Sequence, residues 1–182
     1  MKKLVLLGTA LLALSSLPSF AKTSSNEVAE AKKFTVSVGS YARTFSNSNT
    51  DESFVGFAVS GMGVFAESER FDFAGHAVAT FLENENLSAL ESNDFEMNAL
   101  IGQNLTGLGF KWYAGAGFFN DSWEFSGGSL DFSGPQLAGG VGYNTEKVSF
   151  DLFINIRSES SYDDIPNIDS VASAMFSIGL RF

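Results

Sequence analysis

V-A-S-A-M-F-S-I-G-L-R-F, residues 171–182, sorts into two faces. Ala172, Ala174, Phe176, Ile178, Leu180 and Phe182 fall on one side of an extended chain. Val171, Ser173, Met175, Ser177, Gly179 and Arg181 fall on the other. The first side is apolar throughout, while the second carries hydroxyls, a glycine and an arginine. A helix would scatter both sets around its circumference, so the stretch reads as an amphipathic strand that closes on an aromatic residue.

The same period of two runs back through the chain. Val148, Phe150, Leu152, Ile154 and Ile156 alternate with Ser149, Asp151, Phe153, Asn155 and Arg157. Equivalent alternation covers residues 34–43, 54–66, 71–81, 95–102, 108–118 and 136–143, which makes eight strands. Their connections alternate in length: polar loops at 46–53, 82–94, 120–133 and 158–170, and tight turns at 67–70, 104–107 and 144–147. The phase of the second strand is ambiguous around Gly61-Met62-Gly63, where a bulge is expected.

One set of faces is nearly free of charge, and the other holds the charges and many glycines. Aromatics gather at the strand ends: Phe34, Phe71, Phe110, Trp112, Tyr143, Phe150 and Phe182 at one rim, Phe81, Phe95 and Phe118 at the other. Two aromatic girdles around an apolar band are what a barrel in lipid shows. The expected fold is therefore all-β, an eight-stranded antiparallel up-and-down transmembrane β-barrel over residues 33–182. A soluble exported barrel, with its apolar faces turned inward to a ligand, is the alternative.

Lys2 and Lys3, the apolar stretch from Leu4 to Leu14 and Ser19-Phe20-Ala21 read as a cleaved signal peptide, residues 1–21. Residues 22–32 then form a polar periplasmic tail. The net charge is −10, and loss of Lys2 and Lys3 makes it two units more negative. Such acidity argues against a nucleic-acid partner. With no cysteine, disulfides and thiolate metal sites are excluded.

These features together resemble the small eight-stranded bacterial outer-membrane barrels of the OmpA/OmpX-like superfamily. The resemblance covers the whole chain after the signal segment and rests on strand pattern and on Phe182. It implies a location in the outer membrane of a Gram-negative-type envelope, with both termini periplasmic and the long loops outside. It also implies partners: membrane lipid and lipopolysaccharide, and a barrel-assembly machinery that reads Phe182 in the last strand. The roles it implies are in envelope integrity, adhesion or host interaction, without enzymatic activity. A peptidoglycan-binding domain is not expected after the barrel.

On this phase the lumen holds Arg43, Lys111, Arg157 and Arg181 against Asp72, Glu96 and Asp151, with His76 and Asn155 among them. Asp72, Lys111, Asp151 and Arg181 belong near the periplasmic end, and Arg43, Glu96 and Arg157 near the outer end. Buried charges must be paired, so a cross-linked plug is expected; a narrow ion path is the functional alternative. Glycines 115, 117, 140 and 142 would leave small water-filled gaps. His76 is the one histidine. Outer-membrane lipid A deacylases carry a serine two residues after theirs, where this chain has Val78, so that activity does not transfer. Metal binding by His76 with Asp72 is a weak alternative. No catalytic, metal or cofactor site is expected. The acidic loops suit divalent cations or a surface ligand. Trp123 and Phe125 in the third loop, and Tyr162, Ile165 and Ile168 beside Asp163 and Asp164 in the fourth, form candidate docking patches for a surface ligand or host protein.

Overall fold

The computed structural model describes residues 31–47, 51–87, 89–163, 165 and 168–182. The expected signal peptide and the tail as far as residue 30 lie outside the described residues. The strands are β1 (Phe34–Ser46), β2 (Asp51–Glu67), β3 (Asp72–Asn84), β4 (Glu91–Gln103), β5 (Gly109–Phe125), β6 (Gly128–Asn144), β7 (Val148–Arg157) and β8 (Ser170–Arg181). A short 3-10 turn, Glu159–Tyr162, follows β7.

Each strand pairs antiparallel with the next, and β1 pairs with β8 from Thr35↔Arg181 to Ser46↔Ser170, so the sheet closes on itself. Phe34 and Phe182 complete the seam by exchanging two backbone hydrogen bonds, of 3.2 and 2.8 Å. Closure leaves the spanning backbone without an open edge, which is a requirement for strands in hydrocarbon.

The polarity of the wall is inverted relative to a soluble barrel. Phe118 is 70% exposed and Leu137 64%, whereas the Arg43 and Glu96 side chains inside are at 0%. Val36, Val38, Phe57, Met97, Ile156, Phe176, Ile178 and Leu180 extend this apolar outer surface around the barrel. Aromatics mark its rims. Phe110, Tyr143 and Phe150 stand side by side across β5, β6 and β7, and Phe57 stacks on Phe81 with ring centroids 5.0 Å apart. A continuous apolar band of this kind is solvated by lipid; a soluble barrel would have buried it.

Three features differ from the sequence reading. The irregularity in β2 falls just after Gly61–Gly63: the register shifts between Val64 and Ala66, with Phe65 as the extra residue facing out. Much of the first three long loops is strand, whereas the fourth holds the 3-10 turn. Residues 51–53, 82–84 and 91–94 pair, and β5 and β6 run on to a tight turn at Ser126–Gly127, with Phe125 opposite Gly128. Polar strand above the membrane has the composition of a loop, so hydropathy does not separate the two. Thirdly, Gly140 and Gly142 open no gap. A Cβ at Gly140 would lie 2.7 Å from the Tyr113 ring, and one at Gly142 2.7 Å from Lys111 Cε. These glycines make room for two large side chains that cross the lumen.

β5 and β6 each contain 17 residues. At a rise of about 3.3 Å per residue such a strand is about 55 Å long. Tilted by about 40°, it still spans about 40 Å against an apolar band of about 25 Å. The β5–β6 hairpin therefore stands clear of the hydrocarbon as a two-stranded ribbon.

Candidate functional site

The lumen carries two polar clusters, at the heights the sequence implied. The one at the long-loop end, the outer one on the expected orientation, is built on Arg43 and Arg157. Arg43 grips Asp121 with both terminal nitrogens, each 3.0 Å from a carboxylate oxygen, the bidentate geometry that makes arginine–carboxylate pairs strong. It also reaches Asp94 at 3.3 Å and bonds Ser92. Arg157 bonds Asp94, Glu96 at 2.7 Å and the Tyr162 hydroxyl at 2.9 Å. Tyr41 donates to Glu96, and Asn155 donates to its other oxygen at 2.7 Å. All five ionic side chains are fully buried. Three carboxylates therefore face two guanidiniums.

An aromatic cap seals this network from the outside. Arg157 lies 4.2 Å above the Phe119 ring, and Arg43 lies 5.5 Å from both Phe45 and Phe54. Trp123 packs edge-on against Phe45 at 5.1 Å and donates its indole N–H to Asp121 at 3.0 Å. Tyr162, carried by the 3-10 turn, stacks on Phe119 at 5.5 Å and donates to Asp121 at 3.2 Å. Burial pushes the Tyr162 hydroxyl up, opposed by the two arginines.

The cluster at the short-turn end is smaller. Lys111 contacts Asp151 at 2.9 Å and Ser149 at 2.8 Å. Tyr113 donates to Asp151 at 3.0 Å. Asp72 and Arg181 stand at this end but do not join the pair. Asp72 accepts from the Leu105 amide at 2.7 Å, and Arg181 donates to the carbonyls of Thr145 and Thr106. Both tie the short turns across the mouth. His76 packs edge-on against Phe153, with centroids 4.6 Å apart, and Val78, two residues on, is buried beside it in the lumen.

The lumen residues named from the sequence all point inward, joined by Tyr41 on the face of Arg43 and by Asp94, Asp121 and Ser92, which the sequence does not single out. Asp94 and Asp121 fall within stretches, 82–94 and 120–133, that read as loops. Yet Asp94 keeps the phase of Glu96, and Asp121 that of Phe119 and Trp123. Carrying the period of two past the girdle would have found them. The docking patches divide. Trp123, Tyr162, Ile165 and Ile168 pack toward the core, so they are not surface anchors. Phe125 and Asp163 are exposed, and Asp164 lies outside the described residues. An apolar ring is drawn to the barrel mouth because that buries its area while its N–H or O–H still finds a charged partner.

No family model matches the chain, and no curated protein matches it in sequence. Solved structures do match. The chain is similar to Ail, the attachment invasion locus protein of Yersinia pestis, at 15% identity and a TM-score of 0.55 over 84% of this chain and 99% of that one. It is similar to the N-terminal β-barrel domain of Pseudomonas aeruginosa OprF, at 12% identity and a TM-score of 0.52 over 84% and 100%. It is also similar to the outer membrane protein OprG from Pseudomonas aeruginosa, at 12% identity and a TM-score of 0.52 over 84% and 97%. Apolar outside and ionic inside, the fold defines a membrane-spanning β-barrel. Its architecture is that of the eight-stranded outer-membrane barrels it is similar to.

Proposed function

We propose that this protein is a non-enzymatic outer-membrane barrel that binds a basic partner at the cell surface through the β5–β6 ribbon. The observation that carries this is the ribbon itself. It stands beyond the apolar band, and β7 pairs with β6 only from Gln136 onward. From Gly128 to Ser133, β6 has no strand neighbour on that side among the described residues, which leaves backbone donors and acceptors for an added strand. Phe125 and Leu130 are exposed there beside Glu124 and Asp131.

Charge supports both the orientation and the partner. Lys33, Arg70, Lys111, Lys147 and Arg181 all belong to the short-turn end, and the outer half has only Arg43 and Arg157, which are buried in the network. Glu83, Glu91 and Glu124 stand directly opposite one another on β3, β4 and β5. With the termini periplasmic, this acidic rim faces outward and attracts cations or basic polypeptide. The last strand, ending at Phe182, would engage the assembly machinery, and the apolar band would contact membrane lipid and lipopolysaccharide. The filled lumen favours a plug over the channel reading.

The test is an epitope inserted between Ser126 and Gly127 in cells expressing the full chain. Antibody labelling of intact cells, and adhesion to an immobilised basic protein that is lost in Phe125→Ser/Leu130→Ser, are the expected results. Labelling only after permeabilisation would overturn the orientation. Unchanged adhesion of the variant would overturn the ribbon as the binding element.

A further inference from the structure

We propose that Met62, His76 and Met175 form a lumen site for a soft monovalent cation, Cu(I) or its redox-stable analogue Ag(I). The chain has one histidine and four methionines. Met1 lies in the expected signal peptide, and Met97 faces lipid. The other two line the same small pocket as His76, with room for about one water-sized atom (≈ 10 Å³). Met62 on β2 is the direct cross-strand neighbour of His76 on β3. Met175 on β8 is the neighbour of Phe153, against which the His76 ring rests.

His76 is 6% exposed, and its Nδ1 has no hydrogen-bond partner. A buried ring nitrogen left this way calls for an explanation. In the neutral imidazole one nitrogen carries a lone pair, which serves equally as a hydrogen-bond acceptor or a metal ligand. Two thioethers beside it are poor partners for water and good ones for a soft metal. Mg²⁺ and Ca²⁺ prefer oxygen donors, and Zn²⁺ takes imidazole, thiolate or carboxylate in preference to thioether. Among the described residues no group of three or more His, Cys, Asp or Glu is placed to hold such an ion.

Lys111 also lines the pocket, and its charge is held by Asp151 at 2.9 Å, so the three neutral ligands do not face a free cation. The competing occupant is a water held by Ser37, Ser60 and Ser177, which line the same pocket.

The experiment is calorimetric titration of the protein, purified in detergent, with Ag(I) in chloride-free buffer. The expected result is one Ag(I) per chain, with a shift of the His76 ring resonances in nuclear magnetic resonance. Met62→Leu/Met175→Leu should abolish both while keeping the heat-dependent gel shift of a folded barrel. Absence of saturable Ag(I) binding, or binding that survives intact in the folded double variant, overturns the proposal and leaves the pocket to water.

Discussion

Arg157→Met is the sharpest perturbation of the outer network. It removes the cation that serves Asp94, Glu96 and the Tyr162 hydroxyl, leaving Arg43 alone against three buried carboxylates. Breaking a buried ion pair from one side costs about 3–5 kcal/mol. Loss of three partners at once puts this variant toward the upper end. With a urea dependence of about 2 kcal/mol per molar, the unfolding midpoint falls by about 2 M. Lys111→Met should cost less, because Asp151 keeps the hydroxyls of Tyr113 and Ser149. The assay is equilibrium urea unfolding in lipid vesicles, followed by tryptophan fluorescence. Adding Glu96→Gln to Arg157→Met should recover part of the loss, since contacting residues couple by about 0.5–3 kcal/mol. A midpoint that barely moves in Arg157→Met, or strict additivity in the double variant, would refute the argument that the network is a mutually dependent plug.

Four other outcomes are expected. Gly140→Ala drives a methyl against the Tyr113 ring and the Leu152 carbonyl, both 2.7 Å away, and should cost about 1–3 kcal/mol. Gly75→Ala, with nothing within 4 Å, should be neutral in the same urea assay. Deleting Phe182 removes two seam hydrogen bonds, worth about 0.5–1.5 kcal/mol each; the folded fraction, read as the heat-shifted gel band, should fall. Tyr162 holds its proton more tightly when folded, so its contribution to stability is full below the free tyrosine value of about 10. It is lost as pH rises through the higher folded value. An ultraviolet titration of Tyr162→Phe should show one late tyrosinate fewer than that of the unmodified chain, and loss instead of a tyrosinate that forms at the free value would mean that the 3-10 turn is undocked.

The barrel was readable from the sequence because strand alternation and lipid make the same demand at every second residue. β7 begins and ends at Val148 and Arg157, where its alternation does. Legibility stopped at the girdles. Above Phe95 and Phe118 no hydrocarbon enforces an apolar face, so Asp94 and Asp121 were assigned to loops although their phase was intact. Trp123 and Tyr162 were misplaced for a related reason. Hydropathy shows that an aromatic residue seeks burial, but a loop sequence does not show whether the barrel mouth or a partner supplies it. The pocket around His76 was invisible for a third reason. Met62 and Met175 lie on opposite sides of the seam and meet only once the sheet closes.

That seam has a consequence for how the chain reaches its folded state. β1 and β8 are the elements furthest apart in sequence, yet they are direct neighbours. Seven hairpin pairings can form from local contacts, but the eighth needs the whole chain in place, and contacts of such long range are slow to form. Until Phe182 meets Phe34, the curved sheet carries two open edges, each able to pair with the wrong chain. The time between the emergence of β1 and the arrival of β8 is therefore the interval in which this protein most needs an escort.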